Sequence, residues 1–312
     1  MRVAAIDVGT NSTRLLVAEE QPGGFRSIDR RMVITRLGQG VDRTRVLAAE
    51  ALDRTFRTIA DYAATCGELG VERMRVTGTS AVRDAKNREE FFTGVKQLTG
   101  HLPELLTGDQ EARATFLGTL SDLNEEGPVC VVDIGGGSTE FIVGTSEPER
   151  LVSLDVGCVR MYEKYLESDP PTSDELEALR AEVIDKLETV KPDLAVPKGA
   201  RFIGVAGTVS QLAILKAGVP VYDPDVTHHA VLSHGDVRLI ARRLSSLPYS
   251  KRKNVKGLEA GRVDVIVAGA EILLAVLEAF DVPEILTSEK DILDGLVIQL
   301  LSDGKTDITE TL

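Results

Sequence analysis

Tryptophan is absent from this 312-residue chain, aromatic residues make up 4% of it, and cysteine occurs three times. Cys66, Cys130 and Cys158 are odd in number and widely spaced, so they fit neither a disulfide framework nor a zinc knuckle. Each is expected to be a small buried hydrophobe in a reducing compartment. Long apolar runs are missing too. The longest stretch free of charged residues is Phe202–Leu215, 14 residues, short of the roughly 18–20 that span a bilayer. Met1 and Arg2 lead straight into Val3–Ile6 and Asp7, leaving no room for a secretion signal, so a cytoplasmic protein with no membrane partner is expected. No G-x-x-x-x-G-K-[ST] run occurs, which excludes a Walker-type nucleotide site.

What is present is 43% hydrophobic and 27% charged residues, enough apolar material for a large core and enough length for two domains. The formal charge is −13, which argues against nonspecific attraction to nucleic acid or anionic lipid. Positive charge is concentrated locally. Asp236–Arg262 holds eight bases, Arg252 and Lys253 among them, against two acids, and a second cluster lies between Arg26 and Arg45. Such tracts are where a polyanion would bind, and equally they are solvated helix or loop faces.

The first forty residues alternate as paired strands over Arg2–Val8, Thr13–Ala18 and Phe25–Thr35, with a turn at Pro22-Gly23-Gly24. Leu52, Phe56, Ile59 and Ala63 then recur at helical spacing within Val46–Leu69. Strands at Arg73–Thr77 and Leu102–Leu106 alternate with helices at Asn87–Leu98 and Asp109–Leu120, the layout of an α/β layer. A second strand-rich entry follows over Pro128–Asp133, Ser138–Val143 and Arg150–Leu154. Thr172 and Glu175 form a capping-box pattern ahead of Leu176, Leu179, Val183 and Leu187. A buried strand at Arg201–Ala206 leads into a helix at Thr208–Leu215, and further helices are predicted at Gly235–Leu244, Val263–Phe280 and Ile292–Leu301.

The restart is visible in the letters: DVGTNST at Asp7–Thr13 and DIGGGST at Asp133–Thr139 lie 126 positions apart. An internal repeat predicts two related sheet domains facing one another, with a cleft lined by both copies. The expected division is 1–124 and 125–290, with a boundary near Asn124–Gly127 and a C-terminal helix, 291–312, completing the first domain. Each repeat holds a Gly-rich turn, Gly9, Asn11 and Ser12 in one and Gly135, Gly136, Gly137 and Ser138 in the other. Such turns present backbone N–H groups to phosphate oxygens. Glycines there also make plain hairpins, but the paired occurrence behind an Asp favours an anion site. Asp7 and Asp133 end the preceding strands where an oxygen-seeking Mg2+ would bind, and Glu140 returns on the next strand toward the same place.

Three further segments are ambiguous on their own. GVAGT at Gly204–Thr208 joins strand to helix, so Gly207 and Thr208 offer amides at a helix start, or form an ordinary connection. Arg83, just after a strand, is either a phosphate clamp or a solvated arginine. Glu111 taken alone is a solvated charge in the first turn of a helix. The histidines match no standard metal spacing.

Taken in order, DVGTNSTRLLV, TSAVRDAKN, Gly108–Arg113, DIGGGSTEF, GVAGT, RVDVIVAGAEIL and SEKDILDGLV resemble the exopolyphosphatase and guanosine pentaphosphate phosphohydrolase family over Asp7–Val297. The resemblance implies an α/β fold of two ribonuclease-H-like, actin-like ATPase domains, in the short form without additional helical domains. It matches Glu111 to a catalytic acid that activates water, Asp133 and Glu140 to acids associated with Mg2+ and catalysis, and Arg83 to a phosphate-contacting arginine. Asn11, Gly135–Ser138, Gly207 and Thr208 match phosphate loops. Gln110 departs from the pattern, since many members carry Glu there. The implied activity is metal-dependent hydrolysis of the terminal phosphoanhydride of inorganic polyphosphate, with Mg2+ or alternatively Mn2+. The alternatives are guanosine pentaphosphate 5'-phosphohydrolase activity, or a non-catalytic regulator that binds guanosine penta- or tetraphosphate. A homodimer is expected from the resemblance alone. Arg252 and Lys253 are expected to track the remainder of a long polyphosphate.

Overall fold

The computed structural model describes residues 1–123 and 127–306; residues 124–126 of the expected boundary and residues 307–312 of the expected C-terminal helix lie outside the described residues. The chain divides into two compact units, Met1–Asp122 with Lys290–Leu312, and Leu123–Glu289.

The first unit opens with β1 (Arg2–Val8), β2 (Ser12–Gln21) and β3 (Gly24–Ile34), then α1 (Val41–Thr44), α2 (Ala49–Glu68), β4 (Arg73–Gly78), α3 (Ser80–Asp84), α4 (Arg88–Thr99), β5 (Glu104–Leu105) and α5 (Gly108–Leu120). The sheet order is β3-β2-β1-β4-β5, an antiparallel meander followed by parallel strands on the far side of β1. Strand β1 is buried on both faces, and its two-residue period sorts the side chains into two cores. Ala4, Ile6 and Val8 pack with Leu52, Ile59 and Phe91 of α2 and α4. Val3 and Ala5 face the other way, toward a helix contributed by the end of the chain.

The second unit carries β6 (Val129–Ile134), β7 (Thr139–Gly144), β8 (Pro148–Leu154), α6 (Cys158–Tyr165), α7 (Ser173–Leu194), β9 (Arg201–Val205), α8 (Ala206–Ala217), α9 (Pro224–Thr227), β10 (Val231–Ser233), α10 (His234–Ser245), α11 (Tyr249–Arg252), α12 (Ile266–Ala279) and β11 (Glu284–Thr287). Its order, β8-β7-β6-β9-β11-β10, repeats the first unit's path: a meander, then the parallel strands β9 and β11 beyond the meander's first strand, with β10 added antiparallel at the edge. This is the mixed α/β, ribonuclease-H-like layout that the repeated letters and the resemblance imply. One core cluster joins β6 and β7 to α7, α10 and α12, and the Thr172–Glu175 capping box starts α7 with both of its reciprocal bonds formed.

Two strands escape the sequence reading. β11 is buried along Ile285–Thr287 and so lacks the alternation that marks a half-exposed strand, and β10, at three residues, is too short for its alternation to be read. The segment after β4 also folds further than expected, placing Arg83 in the last turn of α3. The three cysteines are buried and form no disulfide, and burial pushes the Cys66 thiol up to about 11, as suits apolar filler. Among the described residues no helix is long and apolar enough to cross a membrane.

The closing helix, α13 (Ile292–Thr306), belongs to the first unit, where Leu293, Leu296 and Val297 cover Val3 and Ala5. It lies backbone to backbone against α5. A Cβ on Gly118 would fall 1.9 Å from the Asp291 carbonyl oxygen, and one on Gly295 would fall 1.8 Å from that of Ala114. Only glycine permits this approach, and α5 is the helix that carries Glu111. Gly295→Ala is therefore expected to force the helices apart and lower the unfolding free energy by about 1–3 kcal/mol. Urea denaturation checks this; an unchanged midpoint would show that the contact is loose.

Candidate active site

The two repeat turns fold alike. The Gly9 amide donates to the Ser12 carbonyl at 2.9 Å and the Gly135 amide to the Ser138 carbonyl at 3.0 Å, each closing a tight loop between first and second strands. The amides of Thr10 and Asn11 in one turn, and of Gly136 and Gly137 in the other, have no acceptor among the described residues. Asn11 adds a side-chain donor: its Nδ2 has no partner although the residue is only 7% exposed. A buried donor without a partner is costly unless something accepts from it, so the Asn11 turn suits an anion.

In the first unit Asp7 is buried at the end of β1 and already engaged. Arg14 Nη2 donates to its Oδ2 at 2.7 Å and Thr77 Oγ1 to its Oδ1 at 3.1 Å. Arg14 also pairs with Asp291, and Arg30 with Asp294, both acids lying at the start of α13. The Arg14 guanidinium thus gives Asp7 a cationic partner within the first unit. Arg83 and Glu111 come together: Arg83 Nη1 lies 3.6 Å from Glu111 Oε2 and donates to the Leu106 carbonyl at 3.0 Å. The Nε and Nη2 groups of Arg83 have no acceptor among the described residues. Gln110 has a structural explanation. Its side chain accepts from the Thr107 amide at 2.9 Å while the Thr107 hydroxyl accepts from the Gln110 amide at 3.2 Å, a capping box that Glu would make equally well. The departure removes one charge beside Glu111 and keeps the helix start.

In the second unit Asp133 and Glu140 are register partners on β6 and β7, so their side chains share one face. They are 8% and 2% exposed, and Glu140 Oε1 accepts from Ser153 Oγ at 2.6 Å. Two neighbouring buried carboxylates form an all-oxygen donor set, the chemistry that a hard divalent cation takes. The third turn brings in a group that the sequence reading missed. Ala206 has φ 67°, and Gly207 packs directly under the Arg262 guanidinium, since a Cβ there would lie 2.1 Å from Nη2. Arg262 is buried, its Nε donates to Glu259 Oε2 at 2.9 Å, and Thr208 is buried beside it in the first turn of α8. The signal was present, because Arg262 opens the RVDVIVAGAEIL block, but within a basic tract it was counted only as one charge among eight. Arg14, inside DVGTNSTRLLV, is equally indistinguishable from a surface base in the letters alone.

One expectation is overturned. Arg252 does not face a polyanion; it is 3% exposed, and its guanidinium donates to the carbonyls of Leu244 at 3.2 Å, Leu247 at 2.9 Å and Val263 at 3.0 Å. Burial holds its pKa below the usual arginine value, with Asp169 3.5 Å away opposing the shift. Arg252 ties the α10–α12 connection together, whereas neighbouring Lys253 is exposed.

A sequence model of the Ppx/GppA phosphatase family matches residues 16–303. The chain is 37% identical to exopolyphosphatase 2 of Mycobacterium tuberculosis, over 96% of this chain and 98% of that protein. It is 26% identical to the guanosine-5'-triphosphate,3'-diphosphate pyrophosphatase of Vibrio vulnificus, over 97% of this chain and 60% of that longer protein. The solved structure of the Aquifex aeolicus Ppx/GppA enzyme superposes with a TM-score of 0.82 at 34% identity, covering 96% of this chain and 99% of that one.

The two neighbouring bases should separate in a stability measurement. Arg252→Ala leaves three carbonyls without their donor and is expected to cost about 3 kcal/mol of unfolding free energy, with Lys253→Ala within about 0.5 kcal/mol of the parent. Equal effects in chemical denaturation would restore Arg252 to the surface.

Proposed function

The chain belongs to the Ppx/GppA phosphatase family, and from that premise we propose that it hydrolyses the terminal phosphoanhydride of inorganic polyphosphate, releasing orthophosphate one unit at a time. The observation that carries the reading is the Arg83–Glu111 pair at the start of α5, which combines a proton acceptor with a cation that has donors to spare. Full-length similarity to an exopolyphosphatase favours polyphosphate as the substrate.

In this reading Glu111 accepts the proton of a water molecule as the water oxygen attacks the terminal phosphorus in line with the bridging oxygen. The phosphorus–bridging oxygen bond breaks, the shortened chain leaves as an anion, and orthophosphate carries the oxygen from water. In the first unit Arg83, the open amides of the Gly9–Ser12 turn and Asn11 Nδ2 donate to phosphoryl oxygens, where charge is spread in the transition state. In the second unit the Gly135–Ser138 turn, Thr208 and Arg262 offer donors of the same kind. A divalent ion, Mg2+ or alternatively Mn2+, would be held by Asp133 and Glu140 and would offset negative charge on the phosphoryl group. Lys253 remains a candidate contact for the distal part of a long chain.

A second reading, guanosine pentaphosphate 5'-phosphohydrolase, is favoured by the Vibrio vulnificus relative and uses the same phosphoryl chemistry. Orthophosphate release measured in parallel from short polyphosphate, long polyphosphate and guanosine pentaphosphate separates the two. Release from polyphosphate supports the proposal, release from the nucleotide alone moves the protein to the second reading, and release from none leaves a binding protein. Glu111→Gln should lower the rate by about two to four orders of magnitude with little change in KM. Near-normal turnover in that variant would remove Glu111 as the base. Lys253→Glu should raise KM for long polyphosphate more than for short at low salt, and equal effects would take Lys253 off the binding path.

A further inference from the structure

The two units repeat more than the Gly-rich turn. In the first unit the chain leaving β3 crosses behind the Gly9–Ser12 turn, where the Arg36 amide donates to the Asn11 carbonyl at 2.9 Å and the Gly38 amide to the Thr10 carbonyl at 2.8 Å. In the second unit the chain leaving β8 does the same to the Gly135–Ser138 turn. There the Cys158 amide donates to the Gly135 carbonyl at 3.0 Å, and the Val159 and Arg160 amides donate to the Gly136 carbonyl at 2.9 and 3.1 Å. Arg160 Nε adds a bond to the Gly137 carbonyl at 2.7 Å.

Each crossing segment carries a glycine at the point of contact. A Cβ on Gly157 would lie 2.3 Å from the Gly136 carbonyl oxygen, and one on Gly38 would lie 2.3 Å from Thr10 Cγ2. A matching threonine fastens each segment to its turn. The Thr13 hydroxyl meets that of Thr35 at 2.9 Å, and the Thr139 hydroxyl donates to the Val156 carbonyl at 2.5 Å. The letters agree once aligned, Leu37-Gly38 in one copy and Val156-Gly157 in the other.

A peptide unit has one donor and one acceptor on opposite sides, so fixing its carbonyl also fixes where its N–H points. With the turn carbonyls bonded from behind, a peptide flip that would aim an oxygen at a phosphate has to break one or more of these bonds. We infer that Gly38, Gly157 and Arg160 are positioning residues for phosphate recognition, forming a duplicated brace on the carbonyls of Thr10, Gly135, Gly136 and Gly137 that keeps the next amide along the chain in each case, those of Asn11, Gly136, Gly137 and Ser138, turned outward. The inference rests on the phosphatase reading above for the identity of the anion. Its two copies are unequal. Gly157 abuts backbone, which cannot move aside, whereas Gly38 abuts a methyl group that can rotate away.

The test is titration calorimetry of the full chain with orthophosphate, for the parent, Gly157→Ala, Gly38→Ala and Arg160→Gln, alongside steady-state kinetics on polyphosphate. Gly157→Ala and Arg160→Gln are each expected to weaken orthophosphate binding by about tenfold or more, the loss of a hydrogen bond to a charged group, and Gly38→Ala by about threefold. KM should rise in step while kcat falls less, because Glu111 is untouched, and the melting temperature of Arg160→Gln should stay within a few degrees of the parent. A residue that only supported the fold would lower the melting temperature and leave the affinity of the folded fraction unchanged. Should Gly157→Ala not fold, Arg160→Gln decides. Parent-like orthophosphate affinity in Arg160→Gln, or no orthophosphate binding by the parent, overturns the inference. Phosphate binding that depends on the brace, in a protein that leaves polyphosphate intact, would retain the brace and reject the proposed substrate.

Discussion

A phosphate oxygen can be held by a backbone only if several N–H groups point at it and no carbonyl does, and under the proposed function that constraint accounts for a feature common to both units. The turn after the first strand must be short and rich in glycine, so that its amides lie at the surface of the turn. The strand that follows must return antiparallel to close the loop, which β2 and β7 do. The third strand must then deliver its outgoing chain to the back of the turn, where the amides of Arg36 and Gly38 in one unit and of Cys158–Arg160 in the other take up the carbonyls. A three-stranded meander performs all three tasks in sequence, which gives a physical reason for its appearance at the head of each unit.

Much of this was legible in the letters because the constraint leaves few residue choices. Asp-β-branched-Gly followed by two small or polar residues and Ser-Thr marks the turn twice, and the apolar run Val3–Ile6 ahead of the first turn marks a strand, while its sorting into two cores shows only in the structure. The brace was not legible, because Gly38 and Gly157 lie a whole strand beyond the turns they support and single glycines in connections carry no signal of their partner. Arg252 was misread for a related reason. A charge count cannot tell a guanidinium bonded to three carbonyls from one in water, and the exposed lysines on either side supplied a plausible context. Arg262 is likewise buried, against Gly207, in a tract whose composition suggests solvated surface. The short strands β10 and β11 fell below the length at which periodicity can be read.

The charge of the chain sharpens the picture. A protein of formal charge −13 gains little from long-range attraction to a polyanion, so recognition has to come from groups a few ångströms away. Oriented amides serve this purpose without adding net charge, and a few arginines fixed by carbonyl or carboxylate partners add the rest. Arg83 is held by the Leu106 carbonyl and Arg262 by Glu259, so under the proposed function neither would have to be ordered on binding an anion. The helix carrying Glu111 is fixed in the same spirit, by glycine contacts with α13 that allow no side chain between them.

The central claim is that water, activated at Glu111, attacks the terminal phosphorus of a polyphosphate chain. Running the reaction in water enriched in heavy oxygen and weighing the products by mass spectrometry tests it most directly. The account predicts one labelled oxygen in each orthophosphate released and none in the shortened chain. Label in the chain, or unlabelled orthophosphate, would place the attack elsewhere and contradict it.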